Sequence, residues 1–199
     1  MSSPWRRADT GRVGRRALLG LAAVLLTATG CAPGLKGLRA EGLASRAEVG
    51  GLRAFRQEER ACGPAALATL LEWAGSPATP EALGPLVYLP GRSGTLPMDL
   101  SREVRERGLL AYRTRPDASA LLREVAAGHP VLVLENRGLS FAPLWHYSVL
   151  GGYDLGEGTV TLYSGSATPE QGSLARFRRA WSRAGGFGLL ALPPGEIPA

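Results

Sequence analysis

The sequence predicts an α+β domain, with helices leading and strands gathering toward the C-terminus. Three observations carry that expectation. Between residues 62 and 128, apolar residues recur at helical spacing in four separate stretches. From residue 131 onward, runs of strand length dominate, interrupted by one further helical stretch at 173–185. The whole chain has 199 residues, 45% hydrophobic and 20% charged, a globular composition that fills one ordinary domain but not comfortably two. Its 27 glycines and 15 prolines follow no fixed period, which excludes collagen-like and repeat architectures.

The first segment reads as an address. Residues 1–16 hold Arg6, Arg7, Arg12, Arg15 and Arg16 against Asp9, so most of the formal net charge of +6 sits at this end. The rest of the chain is nearly balanced and shows no basic cluster interleaved with aromatics, so no nucleic-acid partner is expected. Residues 17–29 form an uncharged run of 13, too short to span a bilayer but suited to the core of a secretory signal. Ala28, Thr29 and Gly30 then precede Cys31. A basic head, a short apolar core and small residues before a cysteine resemble the lipobox of bacterial lipoproteins. Ala28 departs from the leucine most often found there. The pair Arg15-Arg16 is also similar to a twin-arginine export signal.

The resemblance implies a signal peptide at 1–30, acylation of Cys31 and a lipid-anchored tether over 31–50, with 43–49 free to dock on the domain. Residues 51–199 are then the folded part. Stable anchoring takes two or more acyl chains. By the same resemblance, Ala32 rather than Asp after the cysteine implies the outer membrane, facing the periplasm.

With Cys31 acylated, Cys62 has no disulfide partner, and two cysteines with only His129 and His146 do not make a zinc site. Its surroundings suggest chemistry instead. From Pro64 onward, Leu67, Leu70, Leu71 and Ala74 share a helical face, and Gly75 stops the pattern. Proline is well tolerated in a first turn. Cys62 is thereby placed at a helix N-terminus, where the partial positive charge and unpaired N–H groups favour an anion. A thiolate is the nucleophile of peptide and thioester chemistry. Gln57, five residues upstream, supplies an amide N–H for an oxyanion.

Gln57-x4-Cys62-Gly-Pro-Ala-Ala-Leu-Ala resembles the active-site segment of the C39-like cysteine peptidases, a papain-like group. It includes bacteriocin-processing proteases and stand-alone bacterial lipoproteins. The resemblance covers roughly residues 53–193. It implies a papain-like fold, with the cysteine at a helix N-terminus packed on an antiparallel sheet that carries a histidine. His146, in Trp145-His146-Tyr147-Ser148, stands 84 residues downstream of Cys62, where the family places that histidine. It would accept the thiol proton and return it to the leaving amine. Related peptidases then carry Asp or Asn at the end of the next strand, to orient the imidazole. Here that point reads Tyr163-Ser164-Gly165-Ser166, with Ser164 as the candidate orienter. Asp154 is eight residues from His146 along one strand, too far to serve.

The remaining elements read as scaffold. Thr79 caps a helix opened by Pro80, residues 96–108 form another, and Asp117 caps a third that ends at Gly128. His129 follows in the turn into a strand at 131–135, where it is expected in solvent. Residues 146–154 and 159–164 read as a β-hairpin around Gly156-Glu157-Gly158, and 187–192 as a closing strand. Phe141 and Trp145 are expected to pack rather than to receive substrate.

The reading is thus a lipid-anchored cysteine peptidase acting on a peptide or protein, with Cys62, His146 and Gln57 catalytic and no cofactor, metal or nucleotide expected. The alternatives are an acyl transferase using the same thioester, and a catalytically weak or inactive peptide-binding module on the same fold. The missing carboxylate motivates the second.

Overall fold

Strands β5 (Val131–Asn136) and β9 (Gly188–Leu192) are apolar almost throughout because both their faces are covered. Val131, Val133, Leu190 and Leu192 point to one side; Leu132, Leu189 and Ala191 point to the other. The computed structural model describes residues 42–56 and 61–199, all within the unit Pro33–Ala199. Cys31 and Gln57 lie outside the described residues.

Among the described residues, seven strands build one antiparallel sheet. Its order is β4 (Leu110–Arg113), β9, β5, β6 (Trp145–Asp154), β7 (Thr159–Tyr163) and β8 (Glu170–Ser173). β1 (Arg46–Glu48) pairs with Gly152–Asp154 of β6, taking over where β5 ends. β1 therefore uses the last residues of the segment read as a tether, and Val49 after it is buried in the core. On its other edge, the pairing of β6 with β7 carries a bulge between Leu150 and Gly152.

On one face lie α1 (Cys62–Trp73), α2 (Pro80–Val87) and α3 (Pro97–Glu106), which bury Leu67, Leu70, Leu83 and Leu100 against Leu132, Val149 and Leu189. A short ribbon of β2 (Tyr88–Leu89) and β3 (Gly94–Thr95) separates α2 from α3. On the opposite face, α4 (Ala118–Ala126) and α5 (Leu174–Arg183) bury Leu121, Leu122, Val125, Phe177 and Trp181. The expected α+β architecture is present, with the cysteine helix on an antiparallel sheet that carries the histidine strand. Alternation divides β6 between the layers: Tyr147 and Val149 belong to the α1 side, Leu150 and Tyr153 to the α4–α5 side.

The caps expected at Thr79 and Asp117 are both made. Thr79 Oγ1 accepts from Ala82 N at 3.3 Å. The Asp117 carboxylate accepts from the backbone N–H groups of Ser119 and Ala120 and from the Ser119 hydroxyl. The hydroxyl bond is the main reason its pKa lies below the ordinary aspartate value. A depressed carboxylate stabilises the fold above its unfolded pKa and loses that contribution as pH falls through the folded one. Asp117→Ala is therefore expected to cost about 1 kcal/mol at neutral pH and less in acid. Urea unfolding at the two pH values measures the difference.

Candidate active site

Cys62 is the first residue of α1. Among the described residues no side chain caps the helix, and its first turn holds no acid. Its leading N–H groups have no intrahelical partner and face the same end of the helix as the thiol. Pro64 at the third position forfeits no helical hydrogen bond. Gly63 is required by close approach: a Cβ there would lie 2.5 Å from Thr95 Oγ1 and 2.7 Å from Thr95 Cβ. Gly63→Ala would push β3 away from the helix mouth.

The thiol lines a cleft of about 670 Å³ together with Leu96, Pro97, Leu134, Leu144, Trp145 and Tyr147. These walls are mostly apolar, with Arg92 and Ser93 at one edge. Tyr147 is fixed by its hydroxyl, which donates to Thr95 O at 3.1 Å, and by edge-on packing against Phe187. Burial, and then the neighbouring Cys62, push its phenol pKa upward.

His146 is the second residue of β6, at the rim of the sheet, and is half-buried. Its Nε2 is fully buried and has no hydrogen-bond partner among the described residues. Burial foremost, and the Arg137 guanidinium next, lower its pKa to about 4, against upward pulls from Glu170 and the Ser164 backbone. The ring is therefore neutral at pH 7 and in the form that accepts a proton. The unfolded ring titrates near 6.5. Between these values only the unfolded chain binds the proton, so stability falls as pH drops from about 6.5 to about 4. The full loss approaches about 3 kcal/mol. His146→Gln should remove this part of the acid sensitivity, measurable as a smaller fall in Tm between pH 7 and pH 4.5 than the wild type shows.

The structure therefore brings Cys62 together with the residues on either side of His146, and His146 together with Ser164 and Glu170. Ser164 follows the last residue of β7 and is buried, at 6% exposure. Its hydroxyl donates to Glu170 Oε2 at 2.8 Å rather than to the imidazole. Ser164 thus reaches the ring through its backbone. The sequence reading missed Glu170. It is one of only four carboxylates after His146, and that scarcity was the available signal.

Three expectations are corrected. His129 is not in solvent: its Nδ1 pairs with the buried Glu124 at 2.9 Å and its ring meets Trp73 edge-on. Phe141 is 85% exposed and Trp145 53% exposed, so neither is a packing residue. Phe141 lies in the connection between β5 and β6, and Trp145, the first residue of β6, lines the cleft. Asp154, excluded above on distance, accepts from the N–H groups of Gly156 and Glu157 and fastens the β6–β7 turn.

A helix opening on a cysteine, packed on an antiparallel sheet whose histidine strand meets the same cleft, is the architecture of a papain-like domain. Solved structures with this fold include the peptidase domain of Streptococcus ComA, a bi-functional ABC transporter involved in quorum sensing. It has 20% identity and a TM-score of 0.60, over 72% of this chain and 99% of that one. A C39-like peptidase from Bacillus anthracis matches at 18% identity and a TM-score of 0.65, over 77% of this chain and 100% of its own. A double-glycine-motif protease from an AMS/PCAT transporter, solved with its leader peptide, matches at 19% identity and a TM-score of 0.53, over 74% and 98%. The chain has the fold of these C39-like peptidase domains. No protein-family profile and no curated protein matches its sequence.

Proposed function

We propose that this chain is a cysteine peptidase. Cys62 Sγ attacks the scissile carbonyl, and His146 takes the thiol proton and delivers it to the leaving amine as the C–N bond breaks. Water then attacks the thioester, giving its proton to the imidazole and releasing the thiol. The N–H groups at the start of α1, with the Gln57 amide, hold the oxyanion. The observation that carries this reading is Cys62 at a helix N-terminus, opening into a cleft it shares with the residues flanking His146. The fold shared with peptidase domains supports it. So does the leader peptide bound to one of them, which favours a peptide substrate.

The apolar cleft walls and the exposed Phe141 and Trp145 favour peptides with apolar side chains near the cut. Acylation at Cys31 would hold the enzyme in the bacterial cell envelope, on the outer membrane facing the periplasm. Labelling with a palmitate analogue, lost in Cys31→Ser, tests the anchor. Digestion of a defined peptide pool, read by mass spectrometry, tests the activity. New free carboxyl termini are expected. Termini joined to an added amine would identify a transferase, and an unchanged pool would leave a peptide-binding module.

A further inference from the structure

We propose that Glu170 is the carboxylate that orients His146, acting through Ser164 from the neighbouring strand. This rests on the reading of Cys62 and His146 as a catalytic pair, and it supplies the third group that such pairs use to fix the base.

The geometry is a short relay. β7 ends at Tyr163, and Ser164 follows with its backbone against the imidazole. The chain turns back at Gly165, whose φ of +91° only glycine adopts without strain. It returns as β8, which starts at Glu170 opposite Leu162. The returning carboxylate meets the Ser164 hydroxyl at 2.8 Å and also accepts from the Ser166 hydroxyl. Two hydroxyls thus hold one carboxylate where the loop closes, and Ser164 is pinned between it and the ring. Glu170 in turn has its pKa lowered, by Ser166 and Ser164 first, and further by Arg137 and His146.

The other charged groups near the ring are committed elsewhere. Glu135 lies directly opposite His146 in the β5–β6 register, but its Oε2 accepts from Ser148 Oγ at 2.9 Å and from Arg137 Nη2 at 3.1 Å. Arg137 opposes the imidazolium. Glu170 is the acid whose charge favours it. Because Glu170 is itself exposed, solvent screens its direct field. Its effect on the ring is carried by the position it imposes on Ser164, which makes it a positioning residue.

The test uses the full chain and two readouts. One is the NMR titration of the His146 ring, assigned by loss of its signal in His146→Ala. The other is the rate of Cys62 alkylation by iodoacetamide across pH, with Cys31→Ser as background. In Glu170→Gln the ring should titrate at lower pH than in the wild type, and alkylation at pH 6 should slow roughly tenfold. Ser164→Ala, which removes the hydroxyl that Glu170 holds, should lower both in the same way, and adding it to Glu170→Gln should change neither further. A Glu170→Gln ring that titrates as in the wild type, with an unchanged alkylation profile, overturns the proposal. So does a Ser164→Ala that leaves both as in the wild type. Failure of the catalytic reading itself would look different: peptide cleavage would persist in Cys62→Ser, while the ring titration still reported the Glu170 contact.

Discussion

Cys62→Ser is expected to reduce peptide hydrolysis by roughly 10⁴- to 10⁶-fold, the loss seen when one member of a nucleophile–base pair is removed. The hydroxyl is nearly isosteric with the thiol, so the helix, the cleft and Tyr147 should be undisturbed. Peptide affinity should therefore persist, and the loss should fall on kcat rather than on KM. That split separates chemistry from binding. A comparable fall in affinity would mean that Cys62 shapes the cleft instead of reacting in it. Single-turnover rates with a peptide from the digested pool, alongside equilibrium binding of the same peptide, measure both.

Trp181→Ala should be the most damaging of the core changes. Trp181 is 3% exposed, stacks on Phe177 with ring centroids 6.4 Å apart, and donates from Nε1 to Phe187 O at 2.8 Å. Removing a buried tryptophan of this kind costs about 3–5 kcal/mol, a large share of the 5–15 kcal/mol typical of a domain. Its influence also crosses the sheet. Phe187 packs with the α1-side core against Tyr147, so Trp181 on α5 anchors a residue that supports the cleft. Trp181→Phe keeps most of the packing and gives up the hydrogen bond, a loss of about 1 kcal/mol. Urea unfolding should rank the wild type first, Trp181→Phe second and Trp181→Ala last. Trp181→Ala should also weaken peptide binding where Trp181→Phe does not.

The elements legible in the sequence are those whose own side chains announce them. α1, α4 and α5 carry apolar residues at helical spacing. β9 and the first four residues of β5 are apolar, and the β6–β7 hairpin surrounds a glycine turn. The strands that escaped notice are ones that tertiary pairing imposes. β4 and β8 lie at the two ends of the sheet, where a strand needs only one partner and water covers the other side. β8 reads Glu-Gln-Gly-Ser and has no apolar residue to alternate. Register with β7 alone makes it a strand. The contact of Glu170 with Ser164 was hidden for the same reason, since it comes from a return of the chain that no local pattern encodes. The cysteine motif and the histidine strand were legible because each is a local pattern in its own right. The exposure of Phe141 and Trp145 was not, because an aromatic residue in a turn-rich segment has no periodicity to say which way it faces.

The decisive measurement is the pH dependence of Cys62 alkylation in Cys31→Ser, compared with the same protein carrying His146→Ala. If the two side chains exchange a proton, the parent should react with iodoacetamide well below pH 8.5, where an ordinary thiol is protonated. His146→Ala should then confine the reaction to alkaline solution. Two superimposable profiles would show that the thiol and the ring do not work together, and the catalytic account would be wrong.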